Sequence, residues 1–261
     1  MKTTALITGA SGGIGMELAR VHAKKGGDLV LVARNKGKLD EIKKELESLY
    51  NVSVHTIGKD LSLENSVKEV HLETTQANIQ IDYLINNAGF GDFGMFWETD
   101  GNKELEMINL NITALTLLTK LYLKEMVTRG SGKIMNVAST AAFQPGPTMA
   151  VYCATKAYVL SFSEAISNEV SDKGVTVTAL CPGATESGFQ MAAGMENNEL
   201  FKGKKLPTSK EVAEYGYAAM LKGKTVAIHG FINYMMATSV GFLPRALVLK
   251  VSRMVLGKVK Q

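Results

Sequence analysis

Cysteine and histidine are scarce in this chain of 261 residues. The two cysteines, Cys153 and Cys181, have no metal-ligand spacing and are too few for a disulfide framework. The four histidines are scattered and show no ligand spacing either. We therefore predict that the protein has no metal site and no disulfide framework, and that it works in the reducing environment of the cytoplasm.

Long apolar runs are also missing. No run reaches the roughly 20 apolar residues that a membrane-spanning helix needs. The first eight residues have the pattern of a short buried strand rather than of a signal peptide, so we expect no signal peptide. Basic and aromatic residues are not interleaved as they are in proteins that bind single-stranded nucleic acids. We therefore expect no nucleic-acid partner.

Acidic residues are absent after Glu214, although the formal net charge of the whole chain is only +4. The C-terminal segment is therefore basic, and the remainder of the chain is mildly acidic. The basic residues that follow Glu214 are Lys222, Lys224, Arg245, Lys250, Arg253, Lys258 and Lys260.

Strand-like and helix-like segments alternate along the rest of the chain, and 46% of all residues are hydrophobic, enough for a large core. The pattern predicts strands at 3–8, 29–32, 52–57, 81–85, 133–137, 175–180 and 225–228. It predicts helices at 14–25, 38–49, 63–76, 102–128, 149–171 and 209–221, the last with Thr208 or Ser209 as its N-cap. Seven strands with intervening helices indicate an α/β fold with a doubly wound parallel sheet.

A glycine-rich turn lies between the first predicted strand and the first predicted helix. It reads T-G-x-x-x-G-x-G, with Gly9, Gly13 and Gly15. Glycines let the backbone approach a pyrophosphate, and the helix N-terminus offers free N–H groups and a partial positive charge. The alternative is a tight turn without a ligand, but the strand–turn–helix context favours a dinucleotide site.

A basic residue, Arg34, follows the second predicted strand closely. An acidic residue near this point would accept the ribose 2′-hydroxyl of NAD, whereas the chain has Ala33 followed by Arg34, with Lys36 and Lys38 close by. A guanidinium suits a 2′-phosphate. The sequence therefore favours NADP over NAD; the alternative is that Arg34 is a solvated loop residue.

Tyr152 and Lys156 are four residues apart in a predicted helix, so their side chains share one face. A free tyrosine has a pKa of about 10, and a nearby positive charge lowers it by stabilising the phenolate. The pair can therefore form a general acid/base, although the spacing alone is weak evidence.

Taken together, these motifs resemble those of the short-chain dehydrogenase/reductase family. The match runs over about residues 3–190, and the motifs follow the order and spacing of the family. Ser139 lies 13 residues before Tyr152, as the family's catalytic serine does. The resemblance implies a Rossmann-type fold, NADP as cofactor and a homodimer or homotetramer formed through the helices at 102–128 and 149–171.

The resemblance also implies four catalytic residues. Tyr152 is the expected acid/base, and Ser139 is expected to orient the substrate carbonyl or alcohol. Lys156 would hold the nicotinamide ribose and lower the pKa of Tyr152. Asn111 would hold a water in a proton relay through Lys156; Asn109 competes for this role, but register within the motif favours Asn111.

The cofactor contacts implied by the resemblance lie on several loops. Residues 87–89 would pass under the adenine ribose, and residues 182–185 would border the nicotinamide. The family often has a threonine that contacts the nicotinamide carboxamide at the position of Ser187. Serine also has a hydroxyl, so we expect the contact to be kept. Asp60 either caps the following helix or touches the adenine. The predicted cofactor-binding residues are Gly9, Ser11, Gly13, Ile14, Gly15, Arg34, Asp60, Leu61, Asn87, Ala88, Gly89, Tyr152, Lys156, Pro182, Gly183, Thr185 and Ser187.

We divide the chain after residue 230. Residues 1–230 are predicted to form the NADP-binding, Rossmann-type catalytic domain, including a substrate loop at 184–207, and residues 231–261 a basic amphipathic helical extension. On a helical wheel the extension has one apolar stripe. Two interpretations of this stripe are open. It lies on an anionic membrane surface or covers the substrate pocket, or it packs on the rest of the protein or on a second subunit. Its residues are Leu247, Val248, Val251, Met254 and Val255.

The leading hypothesis is an NADP(H)-dependent oxidoreductase that interconverts a carbonyl and an alcohol. Its small-molecule substrate is expected to be partly apolar, because the two long loops after strands are rich in large apolar residues. One alternative is a non-catalytic nucleotide sensor or scaffold, and another is a peripheral membrane reductase of lipid or steroid-like carbonyls. The apolar loop residues are Phe90, Phe93, Met95, Phe96, Trp97, Phe189 and Met191.

Overall fold

A seven-stranded parallel sheet forms the centre of the protein in the computed structural model, which describes residues 2–195 and 205–256. The strand order is β3-β2-β1-β4-β5-β6-β7, so the chain starts in the middle of the sheet and winds first to one edge and then to the other. The strands are β1 (Thr4–Thr8), β2 (Asp28–Ala33), β3 (Val54–Gly58), β4 (Tyr83–Asn86), β5 (Gly132–Val137), β6 (Val175–Cys181) and β7 (Val226–Ile228).

Helices cover both faces of the sheet. They are α1 (Gly13–Lys24), α2 (Lys36–Tyr50), α3 (Ser66–Gln76), α4 (Gly101–Ile108), α5 (Leu115–Arg129), α6 (Ala150–Glu169), α7 (Phe189–Ala192), α8 (Ser209–Leu221), α9 (Phe231–Ser239) and α10 (Arg245–Leu256). Successive residues of β1 point to opposite faces. Ala5 and Ile7 join the core formed with α1, α2 and α8, whereas Leu6 joins the core formed with α3, α5 and α6.

The doubly wound, Rossmann-type sheet predicted from the sequence is confirmed, and the chain forms a single domain. The predicted helix over 102–128 is interrupted, because α4 and α5 are joined by a π-helical turn at Asn109–Ala114. Thr208 caps α8 with the reciprocal Thr208–Glu211 capping box. The division at residue 230 stays a prediction.

The C-terminal extension begins with α9 and ends, in the described part, with α10. Ala237 of α9 packs in the core beneath the 3-10 turn Thr140–Phe143, and Val248 and Ser252 are the buried residues of α10. None of the helices in the described residues is both long and apolar enough to cross a membrane. The predicted substrate-loop positions 196–204, and Lys258 and Lys260 of the basic tail, lie outside the described residues.

Candidate active site

The glycine-rich turn is fixed to the end of β4 through Thr8. The Thr8 hydroxyl accepts hydrogen bonds from the backbone N–H groups of Asn87 (3.0 Å) and Ala88 (2.9 Å). The Asn87 amide donates to the carbonyl oxygen of Thr8 at 2.9 Å. A Cβ atom at Gly9, which has a φ of +65°, would lie 2.9 Å from the Ala88 Cα. Gly9 is therefore required for this close approach of two backbone segments.

The N-terminus of α1 suits an anionic group. No side chain of the described residues caps it, and its first turn holds no acidic residue. A Cβ atom at Gly12 would meet no atom of the described residues within 4 Å, so space is open in front of the helix. Ser11, Gly13 and Ile14 are half-buried beside this space. The free N–H groups and the helix dipole fit the pyrophosphate of a dinucleotide.

Arg34, just past the end of β2, is the basic residue best placed for a ribose 2′-phosphate. Its guanidinium lies 3.9 Å from a carboxylate oxygen of Asp60 and 3.6 Å from one of Glu106. The side chain is 72% exposed, so it is accessible to a ligand. The ammonium groups of Lys36 and Lys38 form shorter ion pairs, at 3.0 and 2.7 Å, with acidic residues of α2.

Asp60 shapes the turn after β3 and does not cap a helix. Its carboxylate accepts hydrogen bonds from the backbone N–H (3.0 Å) and the hydroxyl (2.7 Å) of Ser62. The N-cap of α3 is Asn65, so the helix-cap alternative is wrong. The neighbouring Leu61 is buried close to Thr8 and Ala88. Leu61 therefore lies against the segment predicted to carry the adenine ribose.

Tyr152 and Lys156 lie on one face of α6, below the end of β5. The Lys156 ammonium is 5.8 Å from the centre of the Tyr152 ring and donates a 2.8 Å hydrogen bond to the carbonyl oxygen of Val137. Ser139 follows two residues after Val137. Its hydroxyl accepts from the backbone N–H of Ala141 at 3.1 Å.

Burial sets the proton affinities of the pair. It raises the pKa of Tyr152 above its ordinary value, and the hydrogen bond with the Ser139 side chain acts in the opposite direction. Burial also lowers the pKa of Lys156 to about 8. Tyr152 therefore holds its proton at neutral pH, while Lys156 keeps most of its charge there. The expectation that Lys156 lowers the pKa of Tyr152 stays a prediction.

Asn111 lies in the π-helical turn and faces the site, whereas Asn109 is exposed. The Asn111 amide donates to the Phe90 carbonyl at 3.0 Å and to the Thr155 hydroxyl at 3.1 Å, and its oxygen accepts from the Phe90 N–H at 3.2 Å. A Cβ at Gly89 would lie 2.8 Å from this oxygen and 3.4 Å from the Lys156 nitrogen. The glycine thus leaves room for both groups.

The loop after β6 forms the other side of the site. The Pro182 carbonyl accepts a 2.9 Å hydrogen bond from the N–H of Thr140, which ties this loop to the segment that carries Ser139. The Thr185 hydroxyl donates to the Gly183 carbonyl at 2.9 Å. The hydroxyl of Ser187 accepts from the backbone N–H at the start of α7 at 3.3 Å. Ser187 therefore has a local structural role in addition to its predicted carboxamide contact.

Apolar groups surround the Tyr152 ring. The Phe189 ring lies 5.2 Å from it, centre to centre, at an angle of 49°. A Cβ at Gly91 would lie 2.7 Å from the Phe189 ring and 3.1 Å from that of Tyr152. Leu256, at the end of α10, packs at Gly146 beside Cys153 and joins the same cluster. The extension therefore reaches the cluster that contains the predicted acid/base.

A shallow cleft beside Tyr152 has Thr148 on its wall. Thr148 has a φ of +75°, which is rare and strained for a β-branched residue. Its carbonyl accepts a 2.9 Å hydrogen bond from the N–H of Gly94. Its hydroxyl is buried and has no hydrogen-bond partner among the described residues. The backbone at the start of α6 is therefore held in a costly conformation next to the site.

Sequence reasoning missed three neighbours of the site. Glu106 of α4 faces Arg34. The side chain of Asn233 packs against Gly183, so closely that a Cβ atom at Gly183 would lie 2.9 Å from the Asn233 Cγ. Leu256 reaches the same cluster as Tyr152 from the end of α10. No local pattern signals these residues, because each reaches the site from a distant segment of the chain.

Comparison with known proteins agrees with this geometry. Residues 3–198 match the family described as short chain dehydrogenase. The fold is similar to that of a short-chain dehydrogenase from Sphingobium yanoikuyae in complex with NADPH, with 32% identity, a TM-score of 0.83, and coverage of 92% of this chain and 94% of that chain. It is also similar to the bulky-bulky ketone specific alcohol dehydrogenase from Comamonas testosteroni, with 30% identity, a TM-score of 0.79 and 92% of each chain covered.

A curated relative adds a third comparison. The very-long-chain 3-oxoacyl-CoA reductase-A of Danio rerio is 34% identical over 182 residues, which are 68% of this chain but only 56% of that relative. The chain thus spans less than two thirds of the relative's length. The family match, which covers most of the chain, and the arrangement of Ser139, Tyr152 and Lys156 lead to one conclusion. The chain belongs to the short chain dehydrogenase family.

Proposed function

We propose that the protein is an NADPH-dependent reductase of ketones that carry large apolar substituents. The observation that carries this proposal is the position of Tyr152 within an apolar cluster, at the edge where the strands end and where the uncapped N-terminus of α1 also lies. The exposed guanidinium of Arg34 supports NADPH as the cofactor. NADPH, when bound, would supply the hydride that reduces the carbonyl carbon.

The chain's own residues would handle the proton. The Tyr152 hydroxyl, which keeps its proton at neutral pH, would donate it to the carbonyl oxygen as negative charge develops there. The Ser139 hydroxyl would donate a second hydrogen bond to the same oxygen. The buried Lys156 ammonium would then stabilise the phenolate that remains. Asn111, fixed by its bonds to Phe90 and Thr155, would hold the water that returns a proton.

The size and polarity of the substrate are inferred from the walls of the site. Met107, Met149 and Phe189 pack around Tyr152, and flexible methionines adapt to apolar ligands. The name of the Comamonas relative supports a ketone with two large substituents. The name of the zebrafish relative supports a second candidate, a 3-oxoacyl thioester. The sensor or scaffold alternative is disfavoured, because a protein without turnover has no need of the complete set of Asn111, Ser139, Tyr152 and Lys156.

A substrate panel tests the proposal. NADPH absorbance would be followed with bulky aryl ketones, small aliphatic ketones and 3-oxoacyl-CoA thioesters of increasing chain length. We expect the highest kcat/KM with a bulky ketone and a preference for NADPH over NADH. A preference for the long-chain thioester would favour the second candidate. No turnover of any carbonyl by enzyme that binds NADPH would contradict both.

We further propose that the protein is a homodimer or homotetramer in a reducing compartment such as the cytoplasm. Exposed apolar residues on the long helices, Leu105 of α4, Leu117 of α5 and Tyr158 of α6, support contacts between subunits. Both cysteines are free and buried, and burial raises the pKa of Cys153 to about 11, so the thiol stays unreactive. Light scattering coupled to size-exclusion chromatography would give the number of subunits.

A further inference from the structure

The C-terminal extension exposes an unusual amount of apolar surface. More than half of the large apolar side chains that are exposed in the described residues fall between Phe231 and Val255. Phe231 is 78% exposed, Phe242 90% and Met254 73%. Large contiguous apolar surface is rare on soluble monomers and marks a site of interaction. We call the exposed apolar residues of 231–255 the C-terminal apolar surface.

Helix α10 contributes one complete face to this surface. Only Val248 and Ser252 are buried in α10, and they lie four residues apart on the face that packs against the body. Leu247, Val251 and Met254 lie on an adjacent face and are exposed. The apolar stripe of the helix is therefore wider than the part that the protein itself covers.

Lys250 and Arg253 border one edge of this exposed stripe, whereas Arg245 begins the helix on the side of Val248 and Ser252. Arg245, Lys250 and Arg253 lie on α10, and the sequence has no aspartate or glutamate after Glu214. Among the described residues, none of these three cations forms an ion pair. An apolar face bordered by unneutralised basic residues is typical of helices that lie in the interface of an anionic bilayer.

Charge also argues against a second copy of the chain as the partner. A two-fold contact would bring the same basic residues of two subunits together, and like charges across an interface are unfavourable.

We propose that α9 and α10 form a docking surface for an anionic lipid bilayer. The apolar residues enter the boundary between headgroups and acyl chains, and the cations contact the lipid phosphates.

Docking would place the active site next to the bilayer. Helix α9 contacts the 3-10 turn Thr140–Phe143, which follows Ser139, and α10 ends at Leu256 beside Cys153. A substrate dissolved in the membrane would therefore reach the site from the lipid. This consequence rests on the proposed reductase function, whereas lipid binding does not, so the two can fail separately.

Co-sedimentation with vesicles tests the docking surface. The chain of 261 residues would be mixed with vesicles of phosphatidylcholine alone or of phosphatidylcholine with phosphatidylglycerol. We expect binding to the anionic vesicles, at least tenfold weaker binding to neutral ones and a decrease with added salt. The double variant Phe242→Asp/Met254→Asp should lose binding at least tenfold. Lys250→Gln/Arg253→Gln should weaken binding about 25-fold, because each basic residue near an anionic surface contributes about fivefold.

A matched control replaces exposed apolar residues elsewhere. Leu49→Asp/Leu72→Asp changes side chains of α2 and α3 that are 62% and 54% exposed, and it should bind vesicles as the wild type does. NADPH titration of every variant shows that the protein is folded. The proposal is overturned if the wild type does not bind anionic vesicles, or if Phe242→Asp/Met254→Asp binds them equally well. It is also overturned if that variant only dissociates an oligomer, without any change in vesicle binding.

Discussion

The ammonium of Lys156 donates a 2.8 Å hydrogen bond to the carbonyl oxygen of Val137, at the end of β5. This bond fixes the position of a buried cation beneath the Tyr152 ring and joins α6 to the sheet. The cation has lost its hydration, and its pKa is lowered to about 8 by that burial. Lys156 therefore combines a structural contact with a charge that titrates close to physiological pH.

The stability of the protein should depend on pH through Lys156. The native state binds fewer protons than the unfolded state between a pKa of about 8 and the ordinary value of 10.5. The contribution of Lys156 to the free energy of unfolding is therefore lowest below pH 8. It increases as the pH rises from about 8 to 10.5. Relative to Lys156→Met, which cannot titrate, the wild type should gain about 1–3 kcal/mol between pH 7.5 and 10. Urea unfolding of both proteins measures the difference, and a constant difference would contradict the assignment.

NADPH selectivity should depend on Arg34 and not on its basic neighbours. Arg34→Ala should weaken NADPH binding about 10- to 100-fold, because it removes charge-assisted hydrogen bonds to the 2′-phosphate, and should leave NADH binding nearly unchanged. Lys38→Ala is the matched control, since its ammonium is already paired with Glu41 at 2.7 Å. Fluorescence titration with both nucleotides measures the effect. Equal losses for the two variants would indicate a general charge effect rather than a specific contact.

Phe189 should limit the size of the substrate. Its ring lies 5.2 Å from that of Tyr152, so Phe189→Ala removes a wall of the site without removing a polar group. We expect the ratio of kcat/KM for a bulky ketone to that for a small ketone to rise about tenfold. Met191→Ala serves as control, because Met191 is on the same short helix but is 71% exposed. An unchanged ratio in Phe189→Ala would show that Phe189 does not border the bound substrate.

Thr148→Gly should stabilise the protein. Glycine adopts a φ of +75° without the strain that threonine has there, about 1–3 kcal/mol, although it loses about 0.5–1 kcal/mol through the entropy of the unfolded chain. We expect a net gain of about 0.5–2 kcal/mol in urea unfolding. Thr148→Ala removes the unpaired hydroxyl but keeps the strained backbone, so it should gain less. Equal stability of the two variants would show that the backbone is not the cause.

The sequence predicted the sheet correctly, and the structure brings the predicted site residues Ser139, Tyr152 and Lys156 to one place, because both depend on local patterns. Alternating apolar strands and helices determine a doubly wound sheet, and Tyr152, Lys156 and Ser139 are related by fixed spacings within or near one helix. Once β5 and α6 pack together, these side chains converge at the end of the strand. The position of Asn111 was also predicted from register alone.

Features that depend on contacts between distant segments were not predicted. The π-helical turn that positions Asn111 adds one residue to a helical turn, and the apolar spacing of 102–128 does not reveal it. Glu106 of α4 meets Arg34, which follows β2, although the two residues lie far apart in the sequence. The sequence left open what the apolar stripe of Leu247, Val248, Val251, Met254 and Val255 contacts, and only the fold shows how little of it the protein covers.

The proton transfer assigned to Tyr152 is the central claim, and Tyr152→Phe tests it most directly. The substitution removes only the hydroxyl and keeps the ring that packs on Phe189 and Gly91. The rate of NADPH oxidation with the best ketone would be compared in wild type and variant, together with NADPH affinity. We predict a loss of at least 100-fold in kcat, the usual contribution of a positioned acid or base, with NADPH affinity within a few-fold of wild type. Turnover at the wild-type rate by the variant would contradict the account.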